Sequence, residues 1–152
     1  MRRAVPDAQL ELVGPIADHA YAARLTATIA RLRVQDAVRV TGQVRDVTRF
    51  VRRWRLFVSL SSDEGQGLAV LEAMALGVPV LARRVAGIED FLIGGRTGWV
   101  IEGTGAAATA AAMRTALGDR GAGAVTRRAR TLVERRYDWT TMLHRFTRLY
   151  GA

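Results

Sequence analysis

Asp63-Glu64-Gly65-Gln66-Gly67-Leu68-Ala69-Val70-Leu71-Glu72-Ala73-Met74-Ala75-Leu76-Gly77-Val78-Pro79-Val80-Leu81-Ala82 places a glycine-flanked turn, an apolar helical run and a β-branched run in immediate succession. The leucine-rich run Leu56 to Leu60 precedes it, so a strand, a turn, a helix and a second strand follow one another, which is the pattern of a βαβ unit in a parallel sheet. Between Gly65 and Ala82 the only charged residue is Glu72. Its helical neighbours one turn away are Leu68 and Leu76, with Ala69 and Ala75 on the same face, so no cation or amide nearby can satisfy it. A helix that is apolar all round is normally buried. Glu72 is therefore expected inside the molecule, where an ionised carboxylate needs a hydrogen-bonding partner. The competing reading is that Glu72 marks the solvated stripe of a surface helix; the lack of any other charge in the segment speaks against it.

The turn indicates the class of partner. Gly65 and Gly67 flank Gln66 where the strand gives way to the helix, so backbone amides there stand bare at a helix N-terminus and can receive an anion. Glycines between a strand and a helix are common, and alone they are weak evidence for phosphate binding. Glu64 stands just before the helix, eight positions ahead of Glu72, so the two carboxylates do not share one helical face. An elongated ligand with a sugar near Glu64, phosphates over the glycine turn and a ribose diol at Glu72 satisfies all three features. A nucleotide sugar has that layout.

The rest of the chain alternates in the same way. Short strands are expected at Leu10 to Val13, Val38 to Thr41, Leu56 to Leu60, Val78 to Ala82 and Trp99 to Ile101. Helices are expected at Tyr21 to Arg33, Val47 to Arg53, Gly67 to Leu76, Ile88 to Leu92 and Gly105 to Leu117, the first capped by Asp18. The fold class is α/β: a Rossmann-like parallel sheet with helices on both faces and a helical tail over residues 121–152. Within the tail, Asp138 is an N-cap, and Trp139, Met142, Phe146 and Leu149 recur at helical spacing, a stripe expected to pack on a core. In such sheets ligands sit at the carboxyl ends of strands, and Glu64 falls there.

The stretch from Ser59 to Gly98 resembles the donor-binding half of family-four retaining glycosyltransferases of the GT-B fold, the glycosyl transferases group 1. The signature of that family is a glutamate, seven residues and a second glutamate, here Glu64 and Glu72. The likeness continues through Ala86-Gly87-Ile88-Glu89 and Gly94-Gly95-Arg96-Thr97-Gly98, and reaches back to Leu10-Glu11-Leu12-Val13-Gly14-Pro15 and Val38 to Val44. The resemblance implies a retaining hexosyltransferase type of activity on a nucleotide-diphosphate sugar. By position, it implies that Glu64 is the catalytic-site carboxylate against the donor sugar and that Gly65, Gln66, Gly67 and Leu68 meet sugar or phosphates. Glu72 would bind the ribose, and Val44 the base. Gln66 stands where the family usually has an aromatic residue, which leaves sugar specificity open, and Ala86-Gly87 replaces a commoner Gly-Gly pair.

The resemblance also sets expectations about extent. The whole chain, residues 1–152, reads as one nucleotide-sugar-binding domain that lacks the acceptor domain and the first strand of the donor domain, with the Arg-Lys pair that follows that strand. Met1 to Asp7 looks like the end of a helix. Activity is then expected to need a separate acceptor domain; the alternative is a noncatalytic binding or assembly module, or a truncated remnant, that keeps the fold.

Composition restricts other classes. Without cysteine there is neither a disulfide framework nor a thiolate metal site, and a reducing cytoplasm is compatible. His19 and His144 read as ordinary loop or surface residues; no metal site and no cofactor are expected, the nucleotide sugar being a substrate. The net charge is +9, but all 23 basic residues are arginine, which reads as a composition bias and not as a nucleic-acid surface. The denser run Arg127, Arg128, Arg130, Arg135 and Arg136 reads as a solvated helix face. That face could also meet another domain or the anionic inner face of a membrane, giving a peripheral location.

Overall fold

The computed structural model describes residues 5–151 of the 152. The reading of Met1 to Asp7 as a helix end lies partly outside the described residues; Pro6-Asp7 form a turn in which the Ala8 N–H donates to the Val5 carbonyl at 3.1 Å. The chain forms two compact units, Met1–Phe50 and Val51–Ala152, and each has its own parallel sheet.

The first unit holds β1 (Leu10–Val13), α1 (His19–Arg31) and β2 (Val38–Gly42). β1 and β2 pair in parallel with Leu10 opposite Val38 and Leu12 opposite Val40, and the Thr41 hydroxyl donates across to the Leu12 carbonyl at 3.2 Å. Asp18 caps α1 by accepting from the Tyr21 N–H at 2.9 Å, as its position in the sequence implies. The short α2 (Thr48–Val51) ends the first unit and opens the second.

The second unit carries β3 (Phe57–Ser59), α3 (Leu68–Ala75), β4 (Val80–Arg83), β5 (Trp99–Ile101), α4 (Gly105–Gly118), α5 (Ala122–Arg136) and α6 (Trp139–Leu149). The strand order is β3-β4-β5, all parallel, with β4 in the centre. Side chains along a strand alternate between faces. Val80 and Ala82 accordingly enter one core with Val70, Leu71, Ala73 and Met74 of α3 and Ala129 and Val133 of α5. Leu81 enters the other, with Trp99, Ile101, Ala116 of α4 and Val125. This two-sided burial is why Val78 to Ala82 reads as a continuous apolar run and not as an alternating one.

Two expectations are corrected here. Ile88 to Leu92 is not an α-helix; residues 86–91 form successive turns, with the Leu92 N–H donating to the Ile88 carbonyl at 2.9 Å. Gly87, Ile88 and Phe91 of this stretch instead pack closely against the loop that precedes α3. The tail does fold as helices, and Asp138 caps α6 by accepting from Thr140 and Thr141, but the stripe Trp139, Phe146, Leu149 does not enter a core. Trp139 is 70% exposed and Leu149 80%; only Met142 is half-buried.

Candidate functional site

α3 is held by its buried side. Val70, Leu71, Ala73 and Met74 are packed, whereas Leu68, Ala69 and Glu72 face outward, Leu68 with 62% of its surface exposed. This overturns the expectation of a buried Glu72. In eight residues of helix only one broad face can pack, and Glu72, four residues after Leu68, lies on the other. Its carboxylate is solvated and needs no internal donor. The alternative weighed from the sequence is the correct one as regards burial: an apolar helix carries its single charge on its single open stripe, together with an exposed leucine.

The turn before α3 is built by close backbone contact. Gly67 is the N-cap, with φ +61°, a left-handed conformation that favours glycine. A Cβ there would come within 2.9 Å of Ile88 Cγ1 and 3.3 Å of Phe91 Cζ. Gly87, at φ +79°, lies directly against the Glu64 carbonyl oxygen, and a Cβ on it would stand 2.6 Å from the Gly65 oxygen. The turns over residues 86–91 thus clasp the loop Glu64 to Gly67 from one side. Phe91 is anchored in turn by an edge-on contact with the Tyr137 ring, centroids 5.6 Å apart. Thr97 completes the support: its hydroxyl donates to the Phe91 carbonyl at 2.6 Å and accepts from the Ile93 N–H at 2.8 Å.

The clasp leaves the front of the loop open. No side chain caps α3. The first return bonds run from the Val70 and Leu71 N–H groups to the Gly67 carbonyl, so the N–H groups of Gly65, Gln66, Gly67, Leu68 and Ala69 have no acceptor among the described residues. Five amides without an acceptor at a helix N-terminus, where the helix dipole adds partial positive charge, are suited to receive an anion. Glu64 is half-buried at its edge, and Gly65 and Gln66 are exposed.

The structure therefore brings Glu64, Gly65, Gln66, Gly67, Leu68 and Glu72 together in the second unit. Val44 belongs to the first unit, in the loop after β2, where it is half-buried. Arg84, which follows β4, pairs with Glu102 at 3.5 Å. Among the described residues no group of three His, Asp or Glu side chains is placed to hold a metal ion, and no helix is long and apolar enough to cross a membrane. Gly87 and Thr97 are supports that reading by residue chemistry passed over. Their signal was their place in the glycine-containing runs Ala86 to Glu89 and Gly94 to Gly98.

Comparison with known proteins agrees with this architecture. The family model described as glycosyl transferases group 1 matches residues 1–119. D-inositol 3-phosphate glycosyltransferase of Streptomyces avermitilis is 32% identical over 125 residues, covering 81% of this chain and 27% of that protein. N-acetyl-alpha-D-glucosaminyl L-malate synthase of Bacillus anthracis is 35% identical over 96 residues, 63% of this chain and 24% of that one. Sucrose-phosphate synthase from Thermosynechococcus elongatus superposes with a TM-score of 0.86 at 28% identity, over 97% of this chain and 39% of that structure. Anabaena HepE, solved in complex with UDP, superposes at 0.90 and 22% identity, over 96% and 41%, a likeness of fold. The chain spans about a quarter of the length of the two sequence relatives. The Glu-seven-Glu spacing, the parallel α/β architecture of the GT-B glycosyltransferases and the family match coincide, and the chain belongs to the glycosyl transferases group 1 family.

Proposed function

We propose that this chain binds the nucleotide-diphosphate sugar of a retaining hexosyl transfer. The observation that carries the reading is the open amide array from Gly65 to Ala69, bracketed by Glu64 at its edge and Glu72 on the solvated face of the same helix. The array is suited to phosphate or sugar oxygens, and Glu72, unburdened by an internal partner, is free to accept from two ribose hydroxyls. Glu64 is assigned to the donor sugar and Val44 to the base. The complex of HepE with UDP supports the choice of ligand class.

In the full reaction the bond between the anomeric carbon and the diphosphate oxygen breaks, and the diphosphate leaves with the electron pair. The acceptor oxygen bonds to the same face of that carbon, and the proton of its hydroxyl is released. The amide array offsets charge developing on the leaving group, so no tightly bound metal or other cofactor is assigned. The acceptor would be held by a further domain or partner chain. The exposed face of α6 supports this, because an apolar surface of that kind normally seats on another protein surface. In the resembled family the final helix crosses to the acceptor domain.

Calorimetric titration with uridine, guanosine and adenosine diphosphate sugars, with Glu72→Ala beside it, tests the reading. Saturable binding that the variant loses is expected. A folded chain that binds none of them would favour a noncatalytic assembly module.

A further inference from the structure

A cleft of about 660 Å³ opens on the second unit between α5 and the segment from Asp90 to Thr97. Its α5 wall follows from helical spacing. Arg127, Thr131 and Arg135 form one row at four-residue intervals, and Arg128, Leu132 and Arg136 form the adjacent row. Arg96 faces them from the opposite wall, and Asp90 is the only carboxylate among the lining residues. None of the residues from Glu64 to Glu72 lines this cleft.

The five guanidinium groups are not equivalent. Arg128 is committed to structure: its Nε donates to the Arg96 carbonyl at 2.8 Å and its Nη2 to the Gly95 carbonyl at 3.3 Å. Arg96, Arg127, Arg135 and Arg136 have no ion pair and no side-chain hydrogen bond among the described residues, whereas Arg130, on the same helix but outside the cleft, is paired with Glu134 at 2.7 Å. The Thr131 hydroxyl is also uncommitted. Thr109, Thr115 and Thr126 each donate back to the carbonyl four residues earlier, and Thr131 does not. Four like-charged guanidinium groups around one concavity are held close without a counter-charge of their own, and the free Thr131 hydroxyl between them adds a donor that an anion can use. Along the helix the backbones of Arg127 and Arg135 are about 12 Å apart at 1.5 Å per residue, so the row of cations is longer than a single phosphate and matches several phosphates in line.

The geometry points to a second anion site in this cleft, one that takes a ligand bearing several phosphate groups in a row, with Arg96, Arg127, Arg135 and Arg136 as the charged contacts and the Thr131 hydroxyl between them. The phosphates can belong to a soluble polyphosphorylated molecule or to adjacent lipid headgroups. The assignment does not depend on the donor site, because neither Thr131 nor any of the four arginines belongs to it.

Two probes distinguish the sources: calorimetric titration with inorganic tripolyphosphate, and flotation with vesicles of phosphatidylglycerol and phosphatidylcholine. Both are applied to the full chain, to Arg127→Ala/Arg135→Ala, and to Arg31→Ala/Arg114→Ala, which removes the same charge elsewhere. All four arginines are exposed, so both variants are expected to fold. Because charge-assisted bonds to phosphate are lost, binding of the effective probe should weaken at least about tenfold in the cleft variant and less than about twofold in the control, where only long-range, screened charge is lost. Tripolyphosphate binding with this pattern assigns a soluble ligand. Vesicle binding with this pattern, without tripolyphosphate binding, assigns headgroups. Equal weakening in both variants, or no binding of either probe, overturns the site.

Discussion

Gly87 lies against the carbonyl oxygen of Glu64 so closely that a side chain at that position would occupy the space of the loop it supports. The loop's shape is therefore set from behind by a residue with no side chain. The groups offered to a ligand are held without being contacted on their open side.

Gly87→Ala is expected to destabilise the chain by about 2 kcal/mol, since it adds a left-handed backbone penalty to a backbone clash. Urea denaturation measures the loss. Loss of nucleotide-sugar affinity beyond the unfolded fraction would show that the loop had moved.

Thr97 is 5% exposed and joins two backbone groups. Thr97→Val keeps the shape but removes the buried bond to the Phe91 carbonyl and the part-buried bond from the Ile93 N–H, so a cost of about 2 kcal/mol is expected. Thr97→Ser should recover most of it, because it restores the hydroxyl; thermal or urea unfolding of the pair reads the difference.

Leu81 is completely buried at the centre of the second unit's sheet. Leu81→Ala should cost about 3 kcal/mol through lost burial and the cavity left behind. The urea midpoint would fall with the slope unchanged. A change below about 1 kcal/mol would mean that α4 and β5 collapse into the space.

Glu72→Ala should leave stability within about 0.5 kcal/mol of the parent, because the carboxylate is exposed and unpaired. Under the proposed function it loses nucleotide-sugar binding. A large stability change would contradict the exposed placement of Glu72.

The sequence reading succeeded where local pattern and tertiary environment agree. β1 and β5 begin and end where their β-branched and leucine-rich runs do, and the caps Asp18 and Asp138 do what their chemistry favours. It failed where the outcome depended on which face is covered. Glu72 could be assigned to its helix by periodicity, but not to the open side of that helix, since Leu68 and Ala69 gave the open side an apolar composition. Ile88, Phe91 and Leu92 have helical spacing, yet they serve a turn because Gly87 must reach the Glu64 backbone. The α6 stripe is an amphipathic pattern, which says that one face seeks apolar contact without saying that the contact lies within this chain.

The uncovered face of α6 also gives the protein an optical reporter. Of the three tryptophans, Trp99 is buried and Trp54 is half-buried beside Phe57, which leaves Trp139 as the exposed indole. Its emission should sit at the red end of the tryptophan range and be readily quenched by iodide. Anything that covers α6 should shift that emission to the blue, so docking of a protein surface on this helix can be followed by fluorescence without a label.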